Sequence, residues 1–408
     1  MSGKRGAAVA AALATANGSL PARGEQLAAT VITQAGIAWE DGLLAYVGPA
    51  GGLPWEPTVG DVDQGSIVPG FVDCHTHLPF IGWRADEFEA RLQGVSYAEL
   101  HGREGGIFRS SRMLREASDD EVLDFCRPLV GEMAIHGTTA LELKTGYGLS
   151  VEEELRQARL ARSLAEVAPQ TCTVTLLACH AVPKGMTRED WVRAACDELI
   201  PAAAAEGLAD AVDIYVEDIA FSLDDLSAVA EAASRTGLPL RVHADQLGPS
   251  GAAEAAVALD ARSTDHLNNV SPTGVEALGS AAATTAVLLP ASTFFLGIEA
   301  APARALRDAG AAIAIATDFN PGTSPILSMP EAIAMTCTVY GMEPLVALTA
   351  ATANPAWVLG LDTKLGTLEV GKRADFLLLE EPDFEQVPYR PGHDPVVETF
   401  IAGERSIA

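Results

Sequence analysis

The rhythm of apolar and polar positions changes twice along this chain. Residues 28–48 read A-A-T-V-I-T-Q-A, then G-I-A-W, then L-L-A-Y-V-G, interrupted at Glu40-Asp41-Gly42. Short β-rich runs parted by turn residues predict a meander of strands rather than a strand-helix-strand unit. From residue 68 onward, helical spacing over 119–136 and 151–168 alternates with β-rich runs at 139–143, 173–178, 211–216, 238–243, 286–289 and 312–316. Alternation sustained from 68 to 361 predicts a parallel α/β body. Polar residues gather at the C-terminal ends of its strands, where a (β/α)8 TIM-like barrel keeps its active site. After residue 361 the strand-and-turn texture returns in G-T-L-E-V-G-K-R-A-D-F-L-L-L-E and V-V-E-T-F-I-A-G-E-R. The terminal segments 1–67 and 362–408 are expected to join as one small β-sandwich domain beside a barrel of residues 68–361, because chain ends commonly lie near each other.

The most informative stretch is 66–80, S-I-V-P-G-F-V-D-C-H-T-H-L-P-F. It reads as one buried strand carrying His75 and His77 at its end, and residues two apart on a strand share a face. Both imidazoles would enter one space, and neutral imidazole is the commonest protein ligand for zinc and suits iron. Four further strand ends deliver polar groups: His180 after T-V-T-L-L-A-C, His243 in L-P-L-R-V-H-A-D-Q with Asp245 and Gln246 beyond it, Asp265 and His266 in A-R-S-T-D-H-L, and Asp318 after A-I-A-I-A-T. A metal-activated hydrolase needs three or four N or O ligands, an open position and a base. His75, His77, His243 and Asp318 make a set of that size, leaving His266 to accept a proton. Taken singly, each group also fits a plain structural role, a satisfied core histidine or an Asx turn at Asp318. Convergence of five strand ends favours the metal site. His101, His136 and His393 end no apolar strand and read as surface or helix residues.

Other positions suit a substrate. Arg84 follows the first strand in F-I-G-W-R and can clamp a carboxylate, or pair with Asp86 or Glu87. In E-L-K-T-G-Y-G-L, Lys144 reads as a salt-bridge partner in preference to a carbamylated metal bridge, and Tyr147 sits on a Gly-bounded bend. Asn320, Gly322 and Thr323 form a turn whose amides can receive an anion.

Composition narrows the function class. The 408 residues carry a formal charge of −28, which argues against nucleic acid as a partner and leaves an anionic small molecule to be held by a local cation. Charged residues interrupt every apolar run short of a membrane span. The six cysteines show no C-x-x-C spacing, so a reducing cytoplasm fits. The Ala-rich run 7–16 behind Lys4 and Arg5 only faintly resembles a secretory signal and reads as a weakly ordered or strand-leading start.

V-P-G-F-V-D-C-H-T-H resembles the opening signature of the amidohydrolase superfamily, as do the bracketing β segments and G-T-L-E-V-G-K-R-A-D-F. More narrowly, H-T-H-L-P-F-I-G-W-R-A-D-E-F-E-A-R, E-L-K-T-G-Y-G-L, H-A-V-P, H-A-D-Q-L, S-T-D-H-L and A-T-D-F-N-P-G-T-S-P resemble the imidazolonepropionases. That resemblance implies one zinc or iron ion on His75, His77, His243 and Asp318, and substrate contacts from Arg84, Tyr97, Tyr147, His180, Gln246, Asn320, Gly322 and Thr323. It implies proton transfer through His266, Asp318 and Asp245, hydrolytic opening of 4-imidazolone-5-propanoate, and a homodimer. The chain departs from the family at Asp245, Glu104 and Asn268, where Glu, Gly and an acidic residue are usual, and these departures bear on which substrate is taken. Other readings on the same scaffold are a hydrolase of another cyclic amide or amidine, an aromatic deaminase, and a non-catalytic relative, which would generally have lost metal ligands.

Overall fold

A computed structural model describes residues 4–59, 65–95 and 105–406. Eight parallel strands form the body: β5 (Phe71–Asp73), β6 (Thr138–Lys144), β7 (Thr171–Cys179), β8 (Ala211–Val216), β9 (Leu240–Ala244), β10 (Ser263–His266), β11 (Thr285–Leu288) and β12 (Ala312–Ile315), each paired to its sequence neighbour. Helices between successive strands cover the sheet, so every residue of β8, β9 and β12 is buried and the strands read as unbroken apolar runs rather than alternating ones. The two ends of the sheet meet through side-chain and backbone bonds: Asp73 accepts from the Thr317 amide (3.1 Å) and hydroxyl (2.5 Å), and His77 N donates to Phe319 O at 2.9 Å. The body is a TIM-like (β/α)8 barrel.

The helices start where local chemistry dictates. Ser118 and Glu121 form a reciprocal capping box ahead of the helix Asp119–Ile135, and Ser150 caps Val151–Val167. Both agree with the helical spacing in the sequence.

Strands from the two chain ends build a second sheet in the order β15-β14-β13-β4-β1-β2-β3, with β1 (Arg5–Thr15), β2 (Thr30–Glu40), β3 (Leu43–Pro49), β4 (Ser66–Pro69), β13 (Phe376–Leu379), β14 (Val396–Ile401) and β15 (Glu404–Arg405). Its pairings are antiparallel except β1 with β4. The Ala-rich run near the start is a central strand, β1, flanked by β2 and β4. Alanine alone favours strands weakly, but here Ala8, Ala10 and Leu13 pack on Ile37, Trp39, Phe376 and Phe400, so tertiary context decides.

One expectation is corrected. The stretch 66–80 is not a single strand: Ser66–Pro69 belongs to the terminal sheet, Phe71–Asp73 begins the barrel, and His75 and His77 follow the strand rather than lie within it. Gly70 is the junction. A Cβ at this position would overlap the side chain of Thr139, a β-branched residue on β6 with little rotamer freedom, so only glycine allows the two strands to come this close. Gly70→Ala is therefore expected to destabilise the fold by about 1–3 kcal/mol through overpacking, read as a lowered denaturation midpoint at unchanged slope.

Candidate metal centre and active site

The C-terminal ends of the barrel strands surround a cleft that, mouth included, holds about 380 Å³ of free space. His77 enters it from beyond β5, His243 from β9, His266 from the end of β10 and Asp318 from beyond β12, while His75, also beyond β5, packs against His243 with ring centroids 4.5 Å apart. All five are buried. His266, Leu267 and Asp318 have φ of +79°, +62° and +54°. Such values are uncommon outside glycine and concentrate where function imposes a backbone.

The imidazoles are aimed by carboxylates. His75 Nδ1 donates to Asp265 Oδ2 at 2.6 Å, and His243 Nδ1 lies 3.1 Å from both oxygens of Asp213. Each Nε2 is thereby left as an acceptor facing inward, buried and without a hydrogen-bond partner among the described residues. His77 Nε2 lies 3.2 Å from Asp318 Oδ1, and His75 Nε2 stands 3.5 Å from the same oxygen. Orphaned imidazole nitrogens beside a carboxylate, each fixed from behind by an acidic group, are the donor arrangement of a divalent metal site. His75, His77 and Asp318 offer ligand atoms within 4.8 Å of one another, as do His75, His243 and His266. The four expected ligands thus fall into two groups that share His75, with His243 drawn toward His266.

Electrostatics agree with that role. Burial pushes His75, His77 and His180 below the ordinary imidazole range and His266 down to about 3, so these rings are neutral at pH 7. Burial opposes ionisation of Asp318, but hydrogen bonds that it accepts, first from His77 and then from Ser292, hold the carboxyl below its usual value. Around Asp213, His243 and Lys144 likewise outweigh burial and keep the carboxyl well below the usual range. Burial lifts Asp265 to about 6, still a carboxylate at pH 7.

Lys144 is an ion-pair partner, as its sequence context suggests. Its ammonium lies 2.7 Å from Asp213 Oδ2, 2.9 Å from Glu142 Oε2 and 3.8 Å from Asp265 Oδ2, fully buried. Arg241 pairs with Glu142 and donates to Thr175 Oγ1 at 3.0 Å and Val358 O at 3.1 Å.

Of the expected substrate contacts, Arg84, Tyr147, His180, Gln246, Asn320 and Thr323 line the cleft. Arg84 is buried, with Nη1 3.3 Å from Ser110 Oγ and Nε 3.5 Å from Glu87 Oε2, and Gly322 is the residue whose lack of a Cβ gives the guanidinium its place. His180 Nδ1 donates to Gly146 O at 3.0 Å and its ring stacks on His77 at 5.3 Å, leaving Nε2 for the cleft. Tyr97 and Glu104 lie outside the described residues. His136 and His393 lie elsewhere, paired with Asp394 and Glu380.

Two expectations do not survive the geometry. The amides of Gly322 and Thr323 donate to Asn320 Oδ1 at 2.9 and 2.7 Å, so the turn is closed by its own side chain rather than open to an anion. Asp245 does not reach the cleft: it accepts from the Ser250 amide and hydroxyl and from the Ala253 amide, which spends both oxygens on the loop. Asn268 is likewise structural, donating to Thr293 Oγ1 and Glu299 O. Conversely, Tyr215 and Ile107 line the cleft unforeseen; Tyr215 donates to Gln246 Oε1 at 3.0 Å and so orients that amide. Its place at the end of the apolar run A-V-D-I-Y-V is a signal that could have found it.

The loop carrying Tyr147 is held from beneath. Glu154 accepts from the amides of Gly146 and Leu149, both at 2.9 Å, while Gln157 accepts from Gly146 and Tyr147 and donates to Pro79 O. Burial lifts Glu154 from 4.5 to about 7. A carboxyl whose pKa is raised on folding contributes stability that is fully present below 4.5 and lost as pH rises through about 7. The stability of the wild type relative to Glu154→Gln should therefore decline between pH 5 and pH 7.5; urea denaturation of both proteins across that range checks it, and a constant difference would refute it.

The amidohydrolase family model matches residues 66–405. The chain is similar to an imidazolonepropionase of Rubrobacter xylanophilus, 43% identical over 394 residues covering 95% of this chain and 94% of that protein. It is similar to another of Aeromonas hydrophila, 42% identical over 345 residues and covering 84% of each. Among solved structures, a zinc-bound adenosine deaminase from Xanthomonas campestris superposes with a TM-score of 0.70 at 17% identity, over 98% of this chain and 92% of that one. At that identity the likeness concerns the fold.

Proposed function

This chain belongs to the amidohydrolase family and, within it, to the imidazolonepropionases, and we propose that it opens the ring of 4-imidazolone-5-propanoate with water. The product is N-formimidoyl-L-glutamate, and the reaction is a step of histidine degradation. The observation that carries the reading is the convergence of orphaned, carboxylate-backed imidazoles with Asp318 in a cleft that also holds the buried Arg84.

His75, His77, His243 and Asp318 would hold one divalent ion, zinc or iron. The chemistry such an ion supplies is Lewis acidity, which makes water nucleophilic at neutral pH. Every remaining task falls to the chain. Arg84 holds the propionate, and a guanidinium already seated between Ser110 and Glu87 loses little freedom on binding. Tyr147, His180, Gln246, Asn320 and Thr323, which line the cleft, fix the ring.

Hydrolysis adds water across the ring carbon–nitrogen bond: oxygen ends on the carbonyl carbon, and a proton must reach the departing nitrogen. His266, neutral at pH 7, accepts that proton from water and returns it, with Asp318 the second acceptor. Asp245, placed on the loop, has no part in the transfer.

In this reading 68–361 form the catalytic unit and 1–67 with 362–408 the terminal sheet domain, which also takes Val68 and Pro69 at the end of β4. A homodimer in the cytoplasm follows the family, and unpaired cysteines and a charge of −28 support a reducing compartment and no nucleic-acid partner. No helix among the described residues is long and apolar enough to cross a membrane.

Metal-loaded protein is expected to consume 4-imidazolone-5-propanoate with loss of its ultraviolet absorbance, to lose this activity on chelation and to regain it with zinc or iron; a fully loaded protein that leaves the compound intact overturns the reading. Arg84→Met should lower kcat/KM by about one to two orders of magnitude, mostly through KM, the worth of a charged hydrogen bond. An unchanged KM would remove Arg84 from substrate binding.

A further inference from the structure

The cleft accounts for the imidazoles and for Asp318, but not for a fully buried ammonium on β6 that lines no part of it. Lys144 Nζ lies 2.7 Å from Asp213 and 2.9 Å from Glu142, with Asp265 at 3.8 Å. Two of those carboxylates are the groups that aim metal ligands: Asp213 faces His243 Nδ1 and Asp265 receives His75 Nδ1. Asp213 has few other anchors, its Oδ1 accepting from the Ile214 amide at 2.7 Å while Oδ2 meets Lys144. Without the ammonium, the second oxygen would keep only its 3.1 Å approach to His243 Nδ1, the very group it is meant to aim, and the carboxylate plane that sets the ring of His243 would be free to turn.

We infer that Lys144 is a positioning residue for the metal centre, which fixes Asp213 and through it the orientation of His243, so that His243 Nε2 points at the ion. The inference rests on the metal-centre reading above. It differs from a plain structural ion pair in a measurable way. A lysine that only stabilised the barrel would lower stability equally with and without metal, whereas a lysine acting through Asp213 and His243 alters how tightly the metal is held. Loss of an outer partner of a ligating histidine typically weakens metal binding about 10- to 100-fold.

The test is zinc affinity by chelator competition, together with thermal melting of metal-free and metal-loaded protein, for the wild type, Lys144→Met, Asp213→Asn and the double variant. Lys144→Met is expected to weaken zinc binding about 10- to 100-fold and to shrink the rise in Tm that zinc produces. The double variant is expected to bind zinc within about threefold of Asp213→Asn alone, because one path carries both effects. It also removes one charge of each sign, so it tests the inference if Lys144→Met fails to fold: a double variant that binds zinc as tightly as the wild type overturns it. Wild-type affinity in Lys144→Met overturns it, as does a further tenfold loss on adding Lys144→Met to Asp213→Asn, or equal losses of Tm with and without zinc. A wild-type protein that binds no zinc or iron overturns the metal-centre reading itself, and with it this one.

Discussion

Everything at the C-terminal end of the barrel depends on balancing charge where water is excluded. Glu142, Asp213, Asp265 and Asp318 are buried carboxylates, and Lys144 and Arg241 are the buried cations that stand among them. Leaving an ionised group unpaired in such an interior costs several kcal/mol. The two cations answer two of the acids, and the remaining negative charge is what a divalent ion would offset. The same groups that make the interior tolerable therefore make it receptive to metal, and they do so through geometry: His75 and His243 are held at Nδ1 so that Nε2 faces inward.

The barrel makes this arrangement affordable in conformational terms. Strand ends are rigid, and the ligands come from just beyond β5 and β12 and from β9, so the expected metal ligands stand on a preformed frame. The less regular parts of the site are pinned individually. Glu154 and Gln157 hold the Tyr147 loop by its amides, and Asn320 closes its own turn while its Nδ2 donates to the carbonyl of Asp318, whose backbone is left-handed.

Much of this was legible in the sequence, for a definite reason. A polar residue at the end of an apolar run is conspicuous, and His75, His77, His180, His243, His266 and Asp318 all have that signature. The eight-stranded barrel followed from alternation, and the terminal sheet from the return of strand-and-turn texture. What stayed hidden depended on contacts between strands. Asp213 lies inside an apolar run and Lys144 closes β6, and nothing local says that one will sit 2.7 Å from the other. Asp245 shares the motif of His243 yet turns to the loop, because backbone at φ +52° re-aims its side chain, and the hydrogen bonds of Gly322 and Thr323 to Asn320 are set by a turn closing on itself. The break at Gly70 was invisible for the same reason, since it is made by Thr139 from a different strand.

The terminal sheet carries a consequence for the making of the protein. Strand β4 is bordered by β1 on one side and by β13 on the other, and β13 comes from the far end of the chain. On a ribosome, β1 to β4 emerge before the barrel, and one margin of β4 stays without its backbone partners until β13, beyond all eight barrel strands, has been made. An unsatisfied margin of this sort is a template for mispairing, so the nascent chain carries it open through the synthesis of the whole barrel.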